Sequence, residues 1–290
     1  MWLASLHTAI QDASIPVANE LGLSRLPAYA DVVLASALGF WFTHLALAPF
    51  VSRMFVGGTY DRLGRGRNNW CVANVHVVSM AHALLVTPLA FRALSSRALD
   101  ADRAFGWDDK AGTAMAVACG YFLWDTVESI VHFSDVGFVV HGLSCFLIYL
   151  LSFRPFIAYY GPRFLLWELS TPFLNIHWFL DKMGKTGSRI QLVNGALLLV
   201  VFTGVRLVYG NIMSYNFFLT MYAIREEVST LQVVVYCGGN VVLNTLNIVW
   251  FFKMIAALRK RMQPARVTEG NGVYVNGRIE TNGNAKLKDQ

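Results

Sequence analysis

Tyr121, Asp125, Glu128 and His132 follow one another at steps of four, three and four in the stretch Gly120 to His132. On a helix these positions share one face. The set offers a phenol, two carboxylates and an imidazole that titrates near neutral pH, which suits general acid–base work or the recognition of a polar headgroup. More polar groups follow: His141 with Ser144 one turn on, Glu168, Asn175, His177 and Arg206, and the row Asn240, Asn244, Asn247. His76 and His82 precede them, and His44 reads as an interfacial residue.

The elements that carry these groups are apolar. Of 290 residues, 55% are hydrophobic and 14% charged, with a mean hydropathy of +0.45. Soluble domains hold about 25% charged residues, so the composition excludes an ordinary soluble enzyme and predicts a multi-pass membrane protein. Spans of about 20 apolar residues are expected at 29–51, 70–91, 111–131, 136–153, 156–180, 190–209 and 231–258. The fold class is therefore all-α: a transmembrane helix bundle of about seven spans around a polar interior cavity. Residues 1–28 form an N-terminal segment, 29–258 the membrane domain and 259–290 a disordered tail, polar and rich in Gly, Asn and Lys.

Ionisable groups are costly at bilayer depth and must face one another or a wet cavity. Two readings follow. One is a pocket, lined by Tyr121, Asp125, Glu128, His132, His141, Glu168, Asn175 and Arg206, for a lipid headgroup or a reacting carbonyl. The other is a set of interhelical hydrogen bonds with a buried ion pair such as Arg206 with Glu168; the asparagine row fits that role. Pro172 predicts a kink, with Thr171 pushed off helical angles and Glu168 and Asn175 on its flanks. An Asp and a His seven residues apart are no metal motif, so no metal is expected.

Arg53, Arg62, Arg65 and Arg67, then Lys182, Lys185 and Arg189, then Arg259, Lys260, Arg261 and Arg266 fall on one side of a seven-span bundle. The positive-inside rule makes that side cytosolic, with the N-terminus lumenal and the C-terminus cytosolic. The net charge of +6 follows these loops, so no nucleic-acid partner is expected. Residues 1–24 hold no Lys or Arg, unlike a signal peptide. The four cysteines form no C-x-x-C pair and read as packing residues. The tail ends with Lys286 and Lys288 at the third and fifth positions from the end, which resembles a dilysine retrieval signal of endoplasmic-reticulum membrane proteins.

Gly120-Tyr-Phe-Leu-Trp-Asp125, Phe138-Val-Val-His141, Glu168-Leu-Ser-Thr-Pro-Phe-Leu-Asn175-Ile-His-Trp178, Asn194-Gly195 with Phe202 and Arg206, and Asn244-Thr-Leu-Asn247-Ile-Val-Trp250 together resemble the TLC-domain family, which includes the ceramide synthases. The resemblance covers most of the chain. It implies a seven-helix membrane protein with a lipid-accessible cavity, residence in the endoplasmic reticulum and a role in lipid synthesis, sensing or trafficking. The synthases carry adjacent histidines in span four; here His141 stands alone between Val140 and Gly142, which places the chain nearer the non-synthase branch. The leading expectation is a lipid-homeostasis protein that binds or positions a membrane lipid or acyl chain, with no cofactor. The alternative is an acyl-CoA-dependent N-acyltransferase, with acyl-CoA as co-substrate, His141 as base or nucleophile and Asp125 or Asp135 orienting it. A transporter or cargo receptor is a third class.

Overall fold

The structure, a computed structural model, describes residues 2–63, 69–262, 267–269, 272–275 and 278–281. The chain forms two compact units, Met1–Val249 and Trp250–Gln290. In the first, α1 (Trp2–Leu21) ends at Gly22, whose φ of +66° closes the helix in the left-handed region. Leu23 follows, fully buried.

Among the described residues five helices are long and apolar enough to cross a membrane: α2 (Pro27–Val56), α4 (of which Ala73–Ala93 is the apolar stretch of Asn69–Ala93), α6 (Asp109–Val131), α9 (Arg189–Ala223) and α10 (Thr230–Arg259). The short helices α3 (Gly58–Leu63) and α5 (Arg97–Ala101) lie between them. The apolar α7 (Val136–Leu151) has 16 residues, about 24 Å at the helical rise of about 1.5 Å per residue. A helical segment over 160–182, here α8, stands where the sequence places its fifth span, but it is not among the five helices long and apolar enough to cross a membrane.

The membrane unit is a multi-pass helical bundle, as its composition predicts. Its outer faces are apolar and open: Phe50 is 68% exposed and Val200 is 70% exposed. On a soluble protein such faces would drive aggregation, whereas here they match hydrocarbon. The inner wall is aromatic and small. Along α6 the residues Ala111, Ala114, Met115, Ala116, Ala118 and Cys119 are all buried completely, and α2, α4 and α7 pack around them. Small residues let the helix backbones approach. A Cβ on Gly120 would stand 2.5 Å from the Val33 carbonyl oxygen, and one on Gly142 would stand 2.8 Å from Asp125 Oδ2.

Several boundaries differ from those the sequence predicts. The span at 190–209 runs on without a break to Ala223, so 210–223 is helix and not loop. The polar Asn211, Ser214 and Asn216 depress hydropathy there, but Asn244 Nδ2 donates to Ser214 Oγ at 2.9 Å, which satisfies that polar position against α10. The first span continues to Val56. In the second unit the described residues include three antiparallel strands, β1 (Val267–Glu269), β2 (Gly272–Val275) and β3 (Arg278–Thr281), where the sequence predicts a tail without regular structure. Arg65, Arg67, Arg266, Lys286 and Lys288 lie outside the described residues.

Candidate functional site

The site is built around Glu168 and Arg206. Before Pro172 the chain tightens into a 3-10 turn, Leu166–Ser170, and Pro172 then sits in the first turn of the α-helix Thr171–Lys182. A proline there removes a donor that has no intrahelical partner. Thr171 keeps helical angles, φ −63° and ψ −40°, so the predicted displacement of Thr171 does not occur. Its hydroxyl turns back and donates to Glu168 Oε2 at 2.8 Å. Arg206 lies on a π-helical turn of α9, Thr203–Tyr209, a local widening often found at functional sites.

Both charged groups are buried and engaged. Arg206 Nη2 lies 3.6 Å from Glu168 Oε1, and His82 Nδ1 of α4 lies 3.8 Å from Glu168 Oε2. Arg206 Nε donates to the Trp167 carbonyl at 3.1 Å and to Ser170 Oγ at 3.0 Å, and Nη1 donates to Asn247 Oδ1 at 3.1 Å. Four helices, α4, α8, α9 and α10, thus meet at one neutralised pair.

A cavity opens beside this pair, with about 750 Å³ of atom-free space counting its mouth. His141, Cys145 and Tyr149 of α7 form one wall. Tyr236, Asn240 and Leu243 of α10 form another, with Phe122 of α6 and Phe217 of α9 between. Trp167, Glu168 and Arg206 line its polar end. Cys145 Sγ lies 3.9 Å from His141 Nδ1, and the His141 ring meets Phe122 edge-on. An aromatic body with a few polar groups is the usual make-up of a pocket for an apolar ligand.

Of the eight residues that the sequence groups around one pocket, His141, Glu168 and Arg206 stand on this wall, and the other five take other places. Tyr121 stacks on His82. Asp125 presses its carboxylate against Gly142, where α6 and α7 touch. Glu128 Oε1 lies 2.9 Å from His132 Nδ1, and its Oε2 lies 3.9 Å from His44 Nε2. His44 is buried against Trp124. Asn175 accepts from His76 Nδ1 at 2.7 Å and donates to Ser79 at 2.9 Å, while His76 stacks on Trp178. Asp135 caps α7, accepting from Gly137 N at 2.7 Å. Among the described residues no group of three His, Cys, Asp or Glu side chains gathers to hold a metal ion.

The sequence profile of the TLC domain shared by the TRAM, LAG1 and CLN8 proteins matches residues 73–256, from α4 through most of α10. The chain belongs to the TLC-domain family. It is 36% identical over 256 residues to an uncharacterised TLC domain-containing protein of Schizosaccharomyces pombe, covering 87% of each chain. It is 32% identical to topoisomerase I damage affected protein 4 of Saccharomyces cerevisiae, over 84% of this chain and 91% of that one. With human TLC domain-containing protein 4 it shares 29% identity, over 83% of this chain and 94% of the human protein. No solved structure matches it.

Within the TLC domain the sequence pattern did not point to Cys145, Tyr149, Trp167 or Tyr236 as wall residues. Aromatic side chains inside apolar helices carry no periodic signal that separates a cavity wall from a lipid-facing surface. His82 was one of many intramembrane histidines in the sequence, and only the packing of α4 on α8 singles it out.

Proposed function

We propose that this TLC-domain protein binds or positions a membrane lipid, or its acyl chain, in the cavity beside Glu168 and Arg206. It acts in lipid homeostasis as a multi-pass protein of the endoplasmic reticulum, with its N-terminus lumenal and its C-terminus cytosolic. The observation that carries the reading is the cavity itself: an aromatic interior at membrane depth with a polar end made of His141, Glu168 and Arg206. The apolar wall suits an acyl chain, and the polar end suits the oxygen-bearing part next to it. The test is purification in mild detergent followed by mass spectrometry of the retained lipids. One lipid class should be retained selectively by the wild type and lost on filling the cavity by Leu243→Trp. Retention of bulk lipid alone, unchanged by that substitution, refutes the reading. Cysteine accessibility from each side of sealed microsomes tests the sidedness.

A second reading is acyl-CoA-dependent N-acyl transfer, favoured by His141 standing on the wall beside Cys145. In such a reaction His141 would take the amine proton as nitrogen attacks the thioester carbonyl and the CoA thiolate leaves. Formation of an amide product from acyl-CoA and a long-chain amine by the purified protein, abolished by His141→Ala, selects this reading over pure binding.

A further inference from the structure

One buried donor on the cavity wall, on α10, has no hydrogen-bond partner among the described residues. Tyr236 lies on a second π-helical turn, Val233–Gly238, and is 4% exposed. Its hydroxyl makes no hydrogen bond among the described residues. Asn240 stands one turn later on the same face and is 6% exposed. Its Oδ1 accepts from Asn244 Nδ2 at 3.0 Å, and Asn244 is fixed in that orientation because the same Nδ2 donates to the Asn240 carbonyl at 2.9 Å. Asn240 thus shares the wall with Tyr236, its side-chain oxygen engaged by Asn244. A buried donor without an acceptor costs roughly 1–3 kcal/mol, so the Tyr236 hydroxyl on a cavity wall marks where a ligand acceptor belongs.

The charge on the wall sets the other half of the specificity. Arg206 is the cation among the described wall residues that is charged at every physiological pH, and it is already engaged with Glu168, Asn247, Trp167 and Ser170. An anionic headgroup or a fatty carboxylate would find no free counter-charge and would meet the Glu168 carboxylate. Desolvating an unpaired anion is far more costly than desolvating a carbonyl or hydroxyl.

Building on the lipid-binding reading above, we propose that the cavity selects an uncharged lipid whose carbonyl or hydroxyl oxygen accepts a hydrogen bond from Tyr236. Its hydrocarbon lies along Phe122, Tyr149, Phe217 and Leu243. Esters, amides and long-chain alcohols belong to this class; free fatty acids and phosphorylated headgroups placed in the cavity do not.

The test uses the full chain in detergent and four probes of one chain length: oleyl alcohol, methyl oleate, oleate and cis-9-octadecene. Binding is read by native mass spectrometry and by the ligand-induced rise in Tm. The alcohol and the ester should bind more tightly than the hydrocarbon and than oleate. Tyr236→Phe should weaken the alcohol and the ester about three- to tenfold, as expected for one neutral hydrogen bond, and leave the hydrocarbon unchanged. Because Tyr236→Phe removes a buried hydroxyl with no partner, the ligand-free protein should keep or raise its Tm, which separates lost recognition from misfolding. Oleate binding as tightly as the ester, or a Tyr236→Phe variant that binds all four probes like the wild type, overturns the proposal while leaving lipid binding in place. Failure of all four probes to bind the wild type overturns the lipid-binding reading itself.

Discussion

The rings of His82 and Tyr121 lie flat on one another, centroids 3.7 Å apart and planes 4° from parallel. This stack joins α4 to α6 at the level where His82 also faces Glu168. It turns Tyr121 toward α4 and leaves α7 to line the cavity. The contact holds an imidazole in position without any bond from its own helix. His82→Phe should keep the stack and cost little, whereas His82→Ala should lower stability by about 3 kcal/mol or more through cavity formation and the lost ring contact. Thermal unfolding in detergent distinguishes them; equal losses would show that the stack contributes nothing.

The Glu168–Arg206 pair should behave as a unit. Either Glu168→Leu or Arg206→Leu alone leaves one buried charge unmatched, with an expected loss of roughly 3–5 kcal/mol. The double replacement should recover a large part of that loss. A double-mutant cycle on Tm checks this, and simple additivity of the two losses would refute the pairing.

Glycines at two sites should respond oppositely. Gly120→Ala forces a methyl to within 2.5 Å of the Val33 carbonyl oxygen on α2, so a loss of about 1–3 kcal/mol is expected. Gly39, within α2, has nothing within 4 Å of an added Cβ, and Gly39→Ala should gain about 0.4–1 kcal/mol by restricting the unfolded chain. Comparing the two Tm values is sufficient.

Asp108 caps α6 from outside the membrane. Its carboxylate accepts from Lys110 N at 2.8 Å, from Ala111 N at 3.4 Å and from Ser96 Oγ at 2.7 Å. Burial works to raise its pKa, but these hydrogen bonds to the ionised form outweigh burial and hold it below the ordinary aspartate value. A lowered folded-state pKa adds stability above the unfolded-state value, and that stability is lost as pH falls through the folded one. Asp108→Ala should cost about 1 kcal/mol at neutral pH and flatten the acid limb of the stability curve. Asp108→Asn should retain the cap and flatten the same limb. Tm measured from neutral pH down into the acid range tests both.

Much of the fold was legible because membrane burial writes itself into long apolar runs. The Glu128–His132 contact was legible too, since residues four apart on a helix must meet. The ion pair between Arg206 and Glu168 followed from the cost of leaving either charge in hydrocarbon. What could not be read was the partner across the bundle. Nothing in the order of residues tells His44 that it meets Glu128, or His76 that it meets Asn175, because those meetings depend on the rotation of whole helices. The π-helical turns that set Arg206 and Tyr236 on the wall also left no trace in composition. Pro172 misled for a local reason: the same residue breaks a helix in its interior and begins one at its first turn.

The charged knot at Glu168 and Arg206 also constrains how the bundle can move. It ties α4, α8, α9 and α10 to one point, and pulling any of them outward would expose a charge to hydrocarbon. Breathing of the bundle is therefore confined to seams held by dispersion alone. One such seam runs between α7 and α10, where Gly239 faces the tip of Ile148. That seam borders the same wall as Tyr236 and Asn240. The bundle is built as a fixed hinge post with a sprung side panel.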